Sequence, residues 1–298
     1  MKILITGKGG QLASELQDTL PSSYQAVFLD SNELDITLFD QVALMVETHK
    51  PVIIINAAAY TAVDKAETEQ KAAYAVNDIG TKNLAQVASD KGIGLIHVST
   101  DFVFNGNHFK PYTPEDVPSP ISVYGDSKLK GEQKLLTCMP TNAVIVRTAW
   151  VYSKYGNNFV KTMLGLMNDR DELGIVYDQV GTPTWARGLA LMIWGIIDEY
   201  FANSSGTTKA SQIVHWTDAG VTSWYDFAVA IHEYAHKHGL LNKNVVIKPI
   251  EAKSYPTPAS RPCYSVLNKS SAESLCKIES KHWQQQLELM IKSLAKIS

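Results

Sequence analysis

The feature that most restricts the fold is the passage Lys2-Ile3-Leu4-Ile5-Thr6 into Gly7-Lys8-Gly9-Gly10-Gln11-Leu12-Ala13. Three contiguous branched apolar residues suit a short parallel strand covered on both faces. Leu12, Leu16 and Leu20 then repeat at helical spacing. Strand, glycine turn and helix in that order allow a tight turn and leave free N–H groups at the helix start, where a pyrophosphate can sit. Gly7, Gly10 and Ala13 fit G-x-x-G-x-x-[GA]. A plainer reading, glycines needed for turn geometry only, stays open on this stretch alone.

The pattern continues along the chain. Ala26–Asp30 reads as a second strand and ends in Asp30, a carboxylate about 20 residues beyond the glycines, where an acid accepts hydrogen bonds from an adenosine ribose. Asp30 alone leans toward NAD, whereas Lys8 in the turn can offset a 2′-phosphate and admit NADP. Asp35-Ile36-Thr37 caps a helix running to about Lys50, Val52–Asn56 is a third strand, and the small residues Ala57-Ala58-Ala59-Tyr60-Thr61 follow its end. Helical spacing covers Asp64 to about Lys91, and Gly94–Ser99 forms a fourth strand leading into Thr100-Asp101. Ala143–Arg147 is the fifth, followed by Trp150. Residues 105–120, rich in Asn, Gly and Pro, form a flanking loop.

This alternation predicts an α/β fold with a Rossmann-type doubly wound parallel sheet. Residues 1–150, with returning segments around 185–215, are expected to form the dinucleotide-binding domain. Residues 151–298 are expected to supply mainly a smaller, interleaved C-terminal lobe, with helices at about 158–168, 185–200, 223–238 and 283–297 and strands near 174–177, 212–215 and 245–250.

Tyr124-Gly125-Asp126-Ser127-Lys128 places a phenol and an ammonium one helical turn apart, just beyond Thr100-Asp101. The cation is expected to lower the Tyr pKa toward neutrality and make it a usable proton donor and acceptor. By itself this spacing also describes a solvated helix face.

Other classes are disfavoured. A net charge of −3 argues against a nucleic-acid binder that relies on a basic face. No apolar run approaches the roughly 18 residues that span a bilayer, and the apolar start is too short for a signal peptide, so a cytoplasmic protein without a membrane partner is expected. Cys138, Cys263 and Cys276 are too dispersed for a metal or redox pair. His232-Glu233-Tyr234-Ala235-His236 is a literal H-E-x-x-H, but Trp224, Phe227, Ala228, Ile231 and Ala235 make the segment an amphipathic helix, and no third ligand is marked. Asn203-Ser204-Ser205 and Asn268-Lys269-Ser270 match glycosylation acceptors that are incidental without a secretory signal. Trp185 and Trp216 read as packing residues.

Taken together, the chain resembles the extended short-chain dehydrogenase/reductase superfamily and, within it, the dTDP-4-dehydrorhamnose reductase family. The resemblance rests on Gly7–Leu12, Asn56–Glu67, Ser99–Phe104, Val123–Lys128, Arg147–Tyr152, Gly156–Phe159, Asp178-Gln179, Tyr255–Pro262 and Ser265–Asn268. It implies reduction of the C4 ketone of dTDP-4-dehydro-L-rhamnose by NADPH, with NADH as the alternative, for cell-surface polysaccharide of the O-antigen type. Tyr124 is the implied proton donor, Lys128 the group on the nicotinamide ribose, and Thr100 the hydroxyl on the substrate oxygen. Gly7, Gly10, Gln11, Leu12, Asp30, Asp35, Ile36, Ala58, Ala59, Tyr60 and Thr61 match cofactor positions; Asp101, Trp150, Val63, Asp64 and Glu67 match substrate positions.

Phe102 stands where many members carry Tyr, and Ala13 where many carry Gly. Some members bridge subunits into a homodimer through Mg²⁺, using a carboxylate after a Pro-Thr pair; Pro183-Thr184-Trp185-Ala186-Arg187 offers a cation there, so no metal is expected. A dehydratase would need Glu after the Thr-Asp pair, and Phe102 is there instead. Epimerases of the same superfamily, and a non-catalytic regulatory subunit such as the methionine adenosyltransferase β subunit, are the alternatives.

Overall fold

The computed structural model describes residues 1–202 and 209–296. Five strands alternate with helices in the first half: β1 (Lys2–Thr6), β2 (Gln25–Leu29), β3 (Ile53–Asn56), β4 (Gly94–Thr100) and β5 (Ala143–Thr148). A sixth, Gln212–Trp216, comes from the second half, and the spatial order is Gln212–Trp216, β5, β4, β3, β1, β2. Every pairing is parallel. The chain leaves β1 to one side for β2 and to the other for β3, so the strand order reverses there, and ligands gather outside the carboxyl ends of such a sheet.

Strands this apolar require cover on both faces. On one face Ile3, Ile5, Ile55, Ile96 and Val146 pack with Leu12 and Leu16 of the helix Gln11–Asp18 and with Leu189 and Ile193 of Ala186–Ile196. On the other, Leu4, Ile54, Leu95 and Ile145 meet Val42 and Val46 of Phe39–His49, Leu84 and Ala88 of Thr81–Lys91, and Leu135 of Val123–Cys138. The helix Ser270–Cys276, for which the sequence carries no clear signal, adds Ala272 and Cys276 to the first of these cores.

A separate core marks the second lobe. Tyr152, Met163 and Met167 pack there with Phe227 and Ile231 of the helix Trp224–Lys237 and with Trp283 and Leu287 of Trp283–Ala295. A parallel pair, Glu172–Val176 with Val246–Ile250, borders it. Trp185 and Trp216 are both buried. Glu15, fully buried on the first helix, binds the lobe back to the sheet: it accepts from Ser153 Oγ at 2.7 Å and from Trp185 Nε1 at 3.3 Å.

The H-E-x-x-H histidines have structural partners. His236 Nε2 lies 2.8 Å from the Lys243 carbonyl, and His232 Nε2 accepts from Val245 N–H at 3.3 Å, so the pair closes the following loop. Among the described residues no cluster of His, Cys, Asp or Glu fits a metal, and no helix is long and apolar enough to cross a membrane. The acceptor sequence at Asn203 lies outside the described residues. Asn268 Oδ1 accepts from Ser270 N–H within its own turn.

Candidate active site

A cavity of about 810 Å³ runs across the carboxyl ends of β2, β1, β3, β4 and β5. At one end it is lined by Gly7, Gly10, Gln11, Leu12 and Asp30; at the other by Thr100, Asp101, Tyr124, Lys128 and Trp150. Asp35, Ile36, Ala58, Ala59, Tyr60, Thr61 and Val63 line the wall between them.

The glycine turn is built for close approach. Gly7 has φ 79°, and a Cβ there would stand 2.8 Å from the Ala57 carbonyl oxygen at the end of β3. No side chain caps the helix Gln11–Asp18, which leaves its first N–H groups for a ligand in the cavity. At the outer edge Lys8 Nζ binds Glu33 Oε2 at 2.9 Å, and Glu33 Oε2 also accepts from Asp30 N–H at 3.0 Å. Asp30 Oδ1 is engaged by the N–H groups of Asn32 and Glu33. These features suit a dinucleotide: a pyrophosphate on the helix start and a ribose at Asp30.

The opposite end depends on the helix Val123–Cys138. Ser122 caps it, accepting from Gly125 N–H. Two glycines let it lie close to its neighbours: a Cβ on Gly125 would meet the Phe102 carbonyl oxygen at 2.2 Å, and one on Gly131 would meet the Asn77 carbonyl oxygen at 2.2 Å. Asn77 lies in a π-helical turn, Ala75–Gly80, interrupting an otherwise α-helical stretch. Its side chain accepts from Tyr60 N–H at 2.9 Å and donates to Ser127 Oγ at 3.0 Å, so it fastens one wall of the cavity to the helix carrying Tyr124 and Lys128. In the sequence Asn77 is only one amide within a charged helical run, and its burial is evident only in the fold.

The electrostatics correct one expectation. Tyr124 is not drawn toward neutrality. Burial pushes its phenol up to about 12, the Thr100 hydroxyl pulls it partly back, and Asp101 pushes it further up. Helical spacing brings the stems of Tyr124 and Lys128 together, but Nζ extends toward β4, donating to the Val98 carbonyl at 2.7 Å. Lys128, 1% exposed, is itself brought down to about 8 by burial, against the favourable charge of Glu132. The Tyr124 phenol is therefore protonated at neutral pH. Beside it Thr100 Oγ1 donates to Asp101 Oδ1 at 3.1 Å, and burial raises Asp101 to about 6. Ser99 and Thr148 line the same end, and their hydroxyl oxygens are buried without a hydrogen-bond partner among the described residues.

Trp150, two residues beyond β5, adopts φ 48° and stacks on Trp224 at 3.5 Å, so a cavity-lining residue at the sheet's carboxyl end meets an aromatic ring of the second lobe. Phe102 meets the Tyr124 ring edge-on at 5.5 Å. Asp64 and Glu67 stand behind the lining. Asp64 Oδ2 accepts from Arg261 at 2.8 Å, and Glu67 Oε1 accepts from Val123 N–H at 2.9 Å. The Arg187 guanidinium comes within 3.6 Å of Glu15.

Comparison with known proteins gives a consistent pattern. A family model described as the RmlD substrate binding domain matches residues 1–296. A dTDP-4-dehydrorhamnose reductase of Aggregatibacter actinomycetemcomitans is 42% identical over 96% of this chain and 97% of that protein. A crystal structure of a dTDP-4-dehydrorhamnose reductase from Clostridium acetobutylicum superposes with a TM-score of 0.90 at 40% identity, covering 99% of each chain. Another, from Bacillus anthracis in complex with NADP, gives 0.89 at 36% identity, covering 98% of this chain and 99% of that one.

Proposed function

The chain belongs to the RmlD substrate binding domain family, and from that footing we propose that it reduces the C4 ketone of dTDP-4-dehydro-L-rhamnose to give dTDP-L-rhamnose, using NADPH. The observation that carries this reading is one cavity with a dinucleotide cradle at one end and Thr100, Tyr124 and Lys128 at the other.

Bound in that cradle, NADPH supplies the hydride. The turn Gly7–Gly10 and the following N–H groups hold the pyrophosphate, Asp30 receives the adenosine ribose, and Ile36, Ala58 and Ala59 wall the bound cofactor. Lys128 reaches the nicotinamide ribose. Tyr124 gives its proton to the ketone oxygen: the phenolic O–H bond breaks as the alcohol O–H bond forms, so a donor that is protonated at neutral pH is the appropriate state. Thr100, whose hydroxyl otherwise rests on Asp101 Oδ1, turns its one proton to that oxygen and aligns it with Tyr124. Asp101 and the Trp150 face contact the sugar, Val63 borders it, and Asp64 and Glu67 act through the loops they tie to Arg261 and to the start of the Tyr124 helix.

In this reading residues 1–150, with returning segments around 185–215, bind the dinucleotide, and residues 151–298 supply most of the nucleotide-sugar lobe. The product serves cytoplasmic synthesis of a cell-surface polysaccharide of the O-antigen type. The test is the fall in near-ultraviolet absorbance of NADPH on adding enzymatically made dTDP-4-dehydro-L-rhamnose. No fall with either NADPH or NADH overturns the reading.

A further inference from the structure

Beneath the cavity floor lies a polar row that the chemistry above does not use. In a sheet of branched apolar residues, Thr6, Asn56 and His97 are register partners: Thr6 lies opposite Asn56, and Asn56 opposite His97. None is more than 1% exposed. The Thr6 hydroxyl donates to Asn56 Oδ1 at 2.7 Å, and the Ala58 N–H donates to the same oxygen at 3.2 Å. Two donors on that side leave Asn56 Nδ2 to face His97 Nδ1, at 3.0 Å. The other ring nitrogen, Nε2, stands 3.3 Å from Lys128 Nζ. The row thus begins on the strand that carries the glycine turn and ends on the buried lysine.

We infer that the row Thr6–Asn56–His97 fixes the position and the charge state of Lys128, which makes His97 a positioning residue for the reaction; this rests on the reductase reading above. A buried polar row is costly unless every member is satisfied, so its orientation is determined rather than loose. Asn56 Nδ2 donates to Nδ1, and a neutral imidazole then carries its one proton on Nε2. Burial, with Lys128 alongside, keeps His97 neutral by holding it well below its ordinary range. An Nε2–H aimed at Nζ complements the lone pair of an amine and opposes an ammonium. The charged and titratable groups around Nζ complete the balance. Glu132 favours the ammonium but is committed to Arg147 by bonds of 2.7 and 3.0 Å. Tyr124 lies one turn earlier on the same helix, and Asp101 follows the end of β4. Added to the burial that already lowers Lys128, the row thus favours the amine while Nζ is held against the Val98 carbonyl.

The test compares His97→Leu, His97→Gln and Thr6→Val in the full chain. Three readouts are used: the pH profile of kcat, NADP⁺ binding, and the ionisation of Lys128 followed by NMR of ¹³Cε-labelled lysine. Leucine removes the opposing N–H, so the Lys128 ionisation and the basic limb of the profile move up by roughly half a unit or more. The value of kcat falls about tenfold or more, with NADP⁺ affinity within about threefold. Glutamine, which can present an N–H to Nζ, restores most of both. Thr6→Val frees the Asn56 amide and moves the ionisation the same way by less; as a conservative change it serves if His97→Leu does not fold. A folded His97→Leu with an unmoved ionisation overturns the inference, as does an equal loss of kcat in both His97 variants at an unchanged profile. Because the NMR titration needs no turnover, a wild-type chain that fails to oxidise NADPH removes the reductase reading while the titration still decides the role of the row.

Discussion

Replacing Tyr124 by Phe deletes one oxygen from the side chain assigned the proton. The expected result is a fall in kcat of about 10²–10⁴-fold with NADP⁺ affinity nearly unchanged, measured by turnover and by titration of bound NADP⁺. Asp101 gives a pH-dependent prediction. Its ordinary value of 3.8 is raised to about 6 in the folded chain, so folding is favoured below the lower value and that advantage is lost as pH rises through the higher one. Asp101→Asn should accordingly raise the melting temperature more well above pH 6 than near pH 4, with a difference on the order of 3 kcal/mol. A third change concerns the cofactor. Lys8 is bound to Glu33 and feels the charge of Asp30, and in the proposed reading it is the cation that would meet a 2′-phosphate. Glu33→Gln should raise the ratio of kcat/KM for NADPH over NADH by roughly three- to tenfold, since it frees the cation and removes a repelling charge. Residue types were legible in the sequence wherever the chemistry permits few alternatives, as at Gly7, Gly10, Tyr124 and Lys128. Their electrostatics were not. Spacing on a helix fixes where two Cβ atoms lie, whereas the Tyr124 phenol responds to burial against Phe102 and Thr100, which only the folded chain supplies.

The helix Val123–Cys138 bears two of the three proposed reacting side chains, and its seating depends on the absence of side chains at Gly125 and Gly131. Gly131→Ala places a methyl 2.2 Å from the Asn77 carbonyl oxygen, so backbone must move. A stability loss of about 1–3 kcal/mol in denaturant unfolding is expected, together with reduced kcat, because the displaced π-helical turn also holds Tyr60. The β-strands were readable in order because a parallel sheet covered on both faces writes itself as apolar runs such as Ile53-Ile54-Ile55. The π-helical turn was not readable. Residues 64–91 carry ordinary helical spacing, and the extra residue in that turn answers to Tyr60 on one side and Ser127 on the other. The H-E-x-x-H segment is the reverse case, a motif whose ligand types are present but whose side chains close a loop.

At the scale of the whole molecule, the second lobe is held to the sheet by a few specific ties, of which Glu15 is the most buried. Glu15→Ala removes the acceptor for Ser153 Oγ and Trp185 Nε1, and leaving such donors unpaired costs about 1–3 kcal/mol, to be read as a lower denaturant midpoint. The interleaving itself was partly legible, since a strand pattern returns near 212–215. The helix Ser270–Cys276 was not, because what it buries against belongs to residues far earlier in the chain. The position of Gln212–Trp216 beside β5 has a consequence for synthesis. A ribosome releases β1 to β5 well before this strand, and the helix Ser270–Cys276, which completes the core shared with Gln11–Asp18 and Ala186–Ile196, comes later still. During that interval the β5 edge offers unpaired N–H and C=O groups, beside an incompletely covered apolar face, to any neighbouring nascent chain. The first half, proposed above to bind the dinucleotide, therefore leaves the ribosome as a sheet with an open edge, and its protection from aggregation depends on elongation reaching Gln212–Trp216.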